Sequence, residues 1–336
     1  MAPGSPCRVL LVGSGLRLLA RHLFQGELLV SAGESNFADA LDTVEDQTPD
    51  VLLVDLTSMD ALEAIAQVMA ERPTPILAMS SGVLTRDQAF KALALGALDV
   101  VERTPVPGAE FWQGITRQLV MLSQVRVVRH VQGKVRRRPP PPVDGAEPPF
   151  PLVAIASSLG GPRALSILLR SIPKDFPAAV CICQHISVGF TEGLAHWLAS
   201  ETGLRVMEAP NEEKMVPGTA YIAPSGAHLV VRPDGRLLLD PRPPVRGFRP
   251  SCDLLLSSAA ESFGRRCIGV ILTGMGKDGA RGLKEIRERG GRTIAQNAET
   301  CVVYGMPREA VQLGAAEEIL PLDRIGPTLL EWVETC

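Results

Sequence analysis

Short apolar runs alternate with amphipathic stretches along most of the 336-residue chain, and this alternation limits the possible folds more than any other feature. Runs such as 9–12, 51–54 and 152–156 are apolar throughout, as is typical of strands buried on both faces of a parallel sheet. Parallel strands need long crossover connections, which the amphipathic stretches supply as helices. The sequence therefore predicts an α/β protein in which helices cover parallel sheets.

A basic, proline-rich stretch divides the chain into two domains, 1–125 and 151–336. The stretch, 126–150, reads RVVRHVQGKVRRRPPPPVDGAEPPF, and proline is excluded from helix interiors and central strands. We predict an extended linker here. Five strand candidates in the first domain suit a flavodoxin-like order. The second domain predicts a doubly wound, mostly parallel sheet, into which the turn Pro-Asp-Gly at 233–235 inserts a β-hairpin.

Composition excludes several classes of function. The net charge is -3 and the pI is near 6.0, which gives no reason to expect a nucleic-acid partner. No apolar run approaches the roughly 20 residues that span a bilayer, so neither membrane insertion nor a signal peptide is expected. Seven cysteines without a small-domain spacing suit a reducing compartment. These features predict a cytoplasmic protein.

Ser158 stands where the strand candidate 152–156 meets a helix that begins at Pro162. Such a sharp turn exposes a hydroxyl at the C-terminal edge of a parallel sheet, beside backbone N–H groups of the helix start, as in a nucleophile elbow. A serine before two glycines is a helix cap or part of a phosphate loop about as often as a nucleophile. The motif alone leaves these alternatives open.

Two further residues suited to hydrolysis follow other strand candidates. His185 comes directly after AVCICQ, and Asp278 comes shortly after IGVIL. Because the carboxyl ends of parallel strands meet at one edge, a serine, a base and a carboxylate are expected together there. Each of these residues, taken singly, is more often a hydrogen-bonded polar side chain with no catalytic role. A metal site formed by Cys181, Cys183 and His185 is a weaker alternative, since alternate positions of one strand are not a zinc spacing.

Six motifs in order, SSLGGP, QHISVGFT, YIAPSGAHL, RPSCDLLLSSAA, TGMGKDGARG and AETCVVYGMP, resemble those of the chemotaxis protein-glutamate methylesterases of the CheB type. The likeness covers residues 153 to about 319. It implies that Ser158 is the nucleophile, that His185 is the general base and that Asp278 is the carboxylate orienting this base. It also implies that the backbone N–H of Met275 is an oxyanion donor.

The same resemblance implies a reaction and its partners. The expected reaction is hydrolysis of glutamate γ-methyl esters on the cytoplasmic region of a methyl-accepting chemoreceptor, with methanol as the leaving group and no cofactor. Some members of the family also deamidate glutamine there. The enzyme would work together with a receptor methyltransferase and a chemosensory histidine kinase. Arg249, Ser251 and Asn297 are predicted substrate contacts, although Ser251 is equally suited to cap a helix.

Two positions beside the expected nucleophile depart from the family pattern. Leu159 stands where the family usually has threonine, so any hydroxyl contact from this position is missing. Ser157 stands where alanine is usual and is a rival nucleophile. Strand alternation directs Ser157 to the opposite face from Ser158, so the sequence favours Ser158.

The N-terminal half resembles a response-regulator receiver domain. Asp55, at the end of PDVLLVD, matches the phosphoacceptor, and Ser80 matches the switch hydroxyl. Gly13 and Ser14 stand where receivers place two acidic Mg²⁺ ligands, and Arg103 stands in place of a lysine. Because Mg²⁺ needs oxygen ligands and arginine does not reproduce lysine's point charge, we predict a degenerate receiver that ordinary phosphorylation does not switch.

Three other functions compete with that of an active hydrolase. Gly13-x-Gly15 after a strand suggests a dinucleotide site, but Leu18 occupies the third glycine position. A receptor-binding pseudo-enzyme would need a broken triad, and a response regulator with a non-catalytic output domain would need a working receiver. The intact serine, histidine and aspartate, together with the altered receiver, favour the hydrolase.

Overall fold

The computed structural model describes residues 7–13, 16, 30–58, 60–80, 86–103, 107–125 and 150–335. The chain divides into two compact units, Met1–Gln132 and Gly133–Cys336. Most of the predicted linker, 126–149, and Ser14 lie outside the described residues. Each unit has its own parallel sheet.

Five strands and four described helices alternate in the N-terminal unit: β1 (Cys7–Val12), β2 (Val30–Ser35), α1 (Ala40–Gln47), β3 (Val51–Asp55), α2 (Asp60–Glu71), β4 (Ile76–Ser80), α3 (Arg86–Ala94), β5 (Asp99–Glu102) and α4 (Ala109–Leu122). The strands are parallel in the order β2-β1-β3-β4-β5, which is the predicted flavodoxin-like order. Strands β3 and β4 are buried along their whole length, as expected for the centre of a parallel sheet.

The C-terminal unit contains nine strands and six α-helices in its described part: β6 (Leu152–Ser157), α5 (Gly161–Arg170), β7 (Ala179–Gln184), α6 (Thr191–Thr202), β8 (Arg205–Glu208), β9 (Thr219–Ile222), β10 (His228–Val231), β11 (Leu237–Asp240), α7 (Cys252–Phe263), β12 (Cys267–Ile271), α8 (Ala280–Glu288), β13 (Arg292–Gln296), α9 (Met306–Gln312), β14 (Glu318–Leu320) and α10 (Leu322–Val333). Seven strands form a parallel sheet in the order β14-β13-β12-β6-β7-β9-β8. The predicted hairpin forms separately as the antiparallel pair β10 and β11. No helix in the described part of the chain is long and apolar enough to cross a membrane.

Buried apolar side chains hold helices against both faces of this sheet. Strands β6, β7 and β12 are buried at every position, and helix α5 buries the predicted stripe that includes Leu165 and Leu169. Helix α7 buries Leu255 and Leu256 in the same core as the strand residue Cys181. Each leucine removed from water in this way contributes about 1.5–3 kcal/mol. The central strands are therefore rigid supports for the loops at their ends.

Two strands differ from the sequence expectation for physical reasons. The edge strand β14 was not predicted, because Glu318 and Ile319 are exposed and its three residues have no buried face that a periodic pattern could reveal. Strand β2 (Val30–Ser35) continues four residues past the end of the strand expected over 28–31, because residues 32–35 pair with β1 although Ala, Gly and Glu are uncommon in strands. Residues 28 and 29 lie outside the described part. The α/β architecture does not depend on either difference.

The sheet brings three loop segments to one edge. Strand β6 lies between β12 and β7, and Ala156 pairs with Ile271 on one side and with Cys183 on the other. The loops that follow these strands therefore leave the sheet together at its C-terminal edge. Chain order reverses direction across β6, and open α/β sheets bind ligands at such a switch point.

Candidate active site

The strand-to-helix turn after β6 presents Ser158 and hides Ser157. Ser157 is fully buried and its hydroxyl donates to Gln184 Oε1 at 2.7 Å, whereas Ser158 is partly exposed. Gly160 has a positive φ of 76°, which closes the turn before helix α5 begins with Pro162 in its first turn. Ser158 is thus the hydroxyl that a substrate can reach, as strand alternation predicts.

His185 and Asp278 form a hydrogen-bonded pair at the same edge. His185 Nε2 lies 3.0 Å from Asp278 Oδ2, and their side chains are only 12% and 3% exposed. The other ring nitrogen, Nδ1, is buried and forms no hydrogen bond with any described residue. In the neutral ring, Nε2 therefore carries the proton and donates a hydrogen bond to Asp278. The lone pair is then on Nδ1.

The carboxylate of Asp278 is held by a cradle of donors at the start of helix α7. Oδ1 accepts hydrogen bonds from Ser251 Oγ at 3.0 Å and from the Asp253 N–H at 3.1 Å. Oδ2 accepts from the Cys252 N–H at 2.7 Å as well as from His185. Two of these donors are first-turn amides, so the helix N-terminus also favours the negative charge.

This cradle keeps Asp278 ionised. Burial opposes ionisation, but the hydrogen bonds from His185 and from the N–H groups of Asp253 and Cys252 outweigh it and lower the pKa of Asp278. Burial of His185 opposes the positively charged imidazolium, whereas Cys252 and Asp278 favour it. Their effects outweigh burial, so the pKa of His185 is raised. Burial raises the pKa of Cys252 well above its ordinary value, so Cys252 is a neutral thiol and the charge that favours imidazolium is that of Asp278.

Comparison with known proteins decides the family. Residues 153–329 match the family model described as CheB methylesterase. The chain is 62% identical to the protein-glutamate methylesterase FrzG of Myxococcus xanthus, with 98% of this chain and 99% of that relative covered. The chain belongs to the CheB methylesterase family. The family, the α/β fold class and the ester-hydrolase class that the sequence predicts are thereby confirmed.

Two further relatives support the assignment to CheB. The chain is 47% identical to a protein-glutamate methylesterase/protein-glutamine glutaminase of Anaeromyxobacter dehalogenans, over 84% of this chain and 83% of that relative. The crystal structure of the Thermotoga maritima CheB methylesterase catalytic domain is 41% identical and gives a TM-score of 0.53, covering 55% of this chain and 99% of that chain. The likeness therefore extends to the three-dimensional structure.

The structure distinguishes the predicted substrate contacts of this CheB protein from one another. Ser251 is fully buried and accepts a hydrogen bond from Leu254 N, so it caps helix α7 and is not available to a substrate. Arg249 is exposed, and its contact to the Pro241 carbonyl oxygen is 3.5 Å long. Asn297 follows β13 at the C-terminal edge of the sheet and is partly exposed. Arg249 and Asn297 stay predictions.

The predicted metal alternative within β7 does not assemble. Cys181 Sγ contacts Met215 Sδ at 3.4 Å and does not belong to the group of donor atoms around His185. Another cysteine, Cys252, takes its place: one donor atom each from Cys183, His185 and Cys252 lie within 4.8 Å of one another. The strand alternation that suggests Cys181 and Cys183 carries no signal for Cys252, which is 67 residues from His185 in the chain.

Gln184 is a positioning residue that sequence reasoning missed. Its Nε2 donates to the carbonyl oxygens of Ser158 and His185, both at 2.8 Å, and its Oε1 accepts from Ser157. One buried amide thus connects the nucleophile turn to the base turn. A Cβ added to Gly161 would overlap Gln184 Oε1, which explains the second glycine of the motif. The only sequence signal was a glutamine at a strand end.

Asp253 was missed for a similar reason, since an acidic residue in a first helical turn is common. Its Oδ2 accepts from Arg246 Nη1 at 2.9 Å. Its Oδ1 accepts hydrogen bonds from three backbone N–H groups at the start of helix α8, those of Gly279, Arg281 and Gly282. Asp253 therefore fixes the loop that carries Asp278.

An aromatic side chain covers the base. The ring of Phe248 stacks on the ring of His185, with centroids 4.3 Å apart and planes inclined by 3°. The turn Val245–Phe248 that carries it has positive φ angles at Arg246 and Gly247, and Arg246 is fixed by its ion pair with Asp253. Phe248 restricts solvent around His185 and was not predicted from the sequence.

In the N-terminal unit, Asp55 ends β3 and is buried, and its Oδ1 accepts a hydrogen bond from Thr57 N at 3.2 Å. Burial raises the pKa of Asp55, against the opposing effects of Thr57 and Arg103. A Cβ added to Gly13 would lie 3.0 Å from the Cβ of Asp55. Position 13 is thus beside the phosphoacceptor-like residue, as the resemblance implies, and it offers no ligand side chain. The phosphorylation prediction stays untested.

Proposed function

We propose that the chain hydrolyses glutamate γ-methyl esters in the cytoplasmic region of methyl-accepting chemoreceptors, with Ser158, His185 and Asp278 as its triad. The observation that supports this proposal best is the His185–Asp278 pair at 3.0 Å, one strand away from the partly exposed Ser158. These groups follow three adjacent strands of one sheet. Hydrolysis of an ester requires a nucleophile, a base and an orienting acid in this arrangement.

Acylation begins when His185 Nδ1 accepts the proton of Ser158 Oγ. Nδ1 and Ser158 Oγ form no hydrogen bond with any described residue, including each other, so neither is committed elsewhere and the substrate complex must bring them together. The serine oxygen attacks the γ-carbonyl carbon, while Asp278 stabilises the imidazolium through Nε2–H. Nδ1 then returns the proton to the departing methoxide, and methanol leaves an acyl-enzyme.

The oxyanion of the tetrahedral intermediate would lie against the loop after β12. A Cβ added to Gly274 would be only 2.8 Å from the Cβ of Ser158, so glycine is required for this close approach of the loop backbone. The next amide, that of Met275, donates to no other described residue and is available as a donor. A fixed amide of this kind is worth about 2.7–4 kcal/mol in the transition state.

Deacylation repeats the same steps with water as the nucleophile. His185 Nδ1 removes a proton from water, hydroxide attacks the acyl carbon, and the proton goes to Ser158 Oγ as the glutamic acid side chain leaves and then loses its own proton to solvent. Each cycle consumes one water and one methyl ester and yields methanol and a free glutamate side chain. These steps are balanced without a cofactor.

A protein substrate suits the rim of this site. Phe248 and Met275 are exposed apolar side chains, 36% and 46% accessible, on loops beside the base and the oxyanion donor. Arg249 adjoins Phe248, and its exposed guanidinium would pair with acidic groups of a receptor. Asn297 would add an amide contact from the loop after β13.

The same groups would deamidate glutamine. The relative from Anaeromyxobacter dehalogenans carries the name glutaminase as well as methylesterase. An amide differs from the ester only in its leaving group, so Nδ1 would protonate the amide nitrogen, which then leaves as ammonia. Ammonia release from an unmodified receptor is the corresponding assay.

The cellular setting follows from this function. The enzyme would oppose a receptor methyltransferase, receive its signal from a chemosensory histidine kinase and act in the cytoplasm. We assign residues 151–336 to the catalytic domain, 126–150 to a linker and 1–125 to a degenerate receiver. Asp55 would then have lost its role as a regulated phosphoacceptor, because position 13 holds a glycine beside it.

Methanol release from a methylated receptor by the full chain tests the proposed function. The wild-type chain should release methanol in proportion to the receptor's methyl content, and Ser158→Ala should not. Ser157→Ala is the matched control, because it removes the neighbouring hydroxyl. Receptor binding without methanol release by the wild-type chain would instead favour the pseudo-enzyme alternative.

A further inference from the structure

Two buried thiols lie beside the imidazole of His185. Cys183 is the second-last residue of β7 and Cys252 is the first residue of helix α7, and with His185 they place one donor atom each within 4.8 Å of one another. Cys252 Sγ lies 3.5 Å from His185 Nε2. Bond lengths of about 2.3 Å to sulfur and about 2.0 Å to nitrogen separate the two donors of a tetrahedral zinc site by about 3.5 Å.

We propose that Cys183, His185 and Cys252 form an inhibitory site for a thiophilic divalent ion such as Zn²⁺. Thiolate and imidazole ligands favour zinc and related ions over Mg²⁺ or Ca²⁺, which prefer oxygen. Two thiolates would neutralise the charge of the ion, and this matters because both cysteines are fully buried. Binding releases the two thiol protons to solvent.

Inhibition follows from the tautomer of His185 and rests on the proposed function. In the active form Nε2 carries the proton, donates to Asp278 at 3.0 Å and leaves Nδ1 free to act as base. An ion on Nε2 displaces that proton to Nδ1. A protonated Nδ1 can donate but cannot accept the proton of Ser158, so nucleophile activation stops.

The ion would reach the site past Phe248. This side chain covers one face of the His185 ring and is itself 36% exposed, so its displacement opens a route without unpacking the sheet. Opening this route would require the turn Val245–Phe248 to move, and with it the ion pair of Arg246 with Asp253.

The test uses the full chain, stripped of metal and kept reduced, with Zn²⁺ or Co²⁺ as the added ion. Bound Co²⁺ should show thiolate-to-metal absorption, native mass spectrometry should show one Zn²⁺ per chain at this site, and Zn²⁺ should inhibit methanol release. Cys183→Ala and Cys252→Ala should each weaken binding by roughly 100-fold or more, since losing a ligand costs at least as much as losing an outer-shell partner. Inhibition is scored relative to each variant's own metal-free rate.

Cys181→Ala is the matched control, because Cys181 lies on the same strand but contacts Met215. It should retain both the absorption and the inhibition. Circular dichroism checks the fold of each variant, and Cys252→Ser replaces Cys252→Ala if the latter unfolds. Absorption that persists in Cys183→Ala and Cys252→Ser, or disappears in Cys181→Ala, would overturn the site.

The optical and mass signals separate this inference from the proposed function. Thiolate-bound Co²⁺ in a chain that never releases methanol would support the metal site and contradict the methylesterase proposal. Thiolate-bound Zn²⁺ that leaves methanol release unchanged would overturn the inhibitory role. Absence of any thiolate-bound ion, in a chain that releases methanol normally, would overturn the metal site and leave the proposed function intact.

Discussion

Replacing Gln184 by methionine should separate positioning of the triad from its chemistry. The amide of Gln184 joins the turns that carry Ser158 and His185, through two donated hydrogen bonds of 2.8 Å and one accepted bond of 2.7 Å from Ser157. Methionine has a similar length and fills the buried space without a donor. The substitution Gln184→Met therefore removes the connection while leaving every proposed catalytic group in the chain.

The expected magnitude follows from the three lost hydrogen bonds. Each buried polar group left unpaired costs about 1–3 kcal/mol, but the Ser158 carbonyl keeps a hydrogen bond from Gly161 N, so the total should be about 3 kcal/mol. At roughly 2–4 °C per kcal/mol for a domain of this size, Tm should fall by roughly 6–12 °C. Because about 1 Å of misplacement can cost about 100-fold in rate, kcat should fall by roughly 100-fold.

Methanol release and thermal unfolding should be measured on the same preparations, at a temperature where both proteins are folded. Thr293→Val is the matched control. Thr293 is fully buried at the opposite end of the sheet, where its hydroxyl donates to Ala315 O at 2.7 Å and accepts from Glu317 N at 3.0 Å. This control should lose about 2 kcal/mol of stability while kcat is unchanged.

A kcat for Gln184→Met within about twofold of the wild-type value would refute the reasoning, because it would show that the two turns keep their geometry without the amide. An equal loss of kcat in Thr293→Val would also refute the positioning role of Gln184. It would show that lost stability, and not lost positioning, accounts for the lower rate.

Three other outcomes are expected. Ser158→Ala and His185→Ala should each lower methanol release by roughly 10³-fold or more with the fold intact by circular dichroism, whereas a loss confined to Ser157→Ala would reassign the nucleophile. The pKa of His185 is raised above its ordinary value of about 6.5, and the neutral base is lost as pH falls through that pKa. The acidic limb of the pH profile of kcat/KM should therefore have its midpoint above about pH 6.5. A rate that stays flat into acid, with the fold intact, would argue against histidine. Acetyl phosphate with Mg²⁺ should neither add mass at Asp55 nor change the rate, and a stoichiometric adduct lost in Asp55→Asn would show a working receiver.

Most of the fold was predictable because buried parallel strands are read from local composition. The apolar runs of β3, β6 and β12 predict their own burial, and the helix after β6 shows its buried stripe in the spacing of Leu165 and Leu169. The edge strand β14 has no such signal. A strand that is mostly exposed and only three residues long differs little from a loop in sequence.

The positions of Ser158, His185 and Asp278 could be predicted from topology alone, since parallel strands deliver their following residues to one edge. Apart from the His185–Asp278 pair, their hydrogen-bond partners could not. Gln184 has no periodic signature, and Cys252 lies 67 residues from the histidine it contacts at 3.5 Å. Such contacts depend on how helix α7 packs against β6 and β7, which no local pattern specifies.

Ser251 has one role that the sequence predicts and a second role that only the structure shows. The sequence before DLLLSSAA allows a helix cap, and Ser251 does accept the Leu254 N–H at 3.4 Å. What the pattern omits is the anion at that helix N-terminus, where the Ser251 hydroxyl and the next two amides all donate to Asp278. The cap that begins helix α7 therefore also fixes the carboxylate that orients His185. Because the Cys252 and Asp253 N–H groups lower the pKa of Asp278, the helix start that Ser251 caps also keeps this carboxylate ionised beside His185.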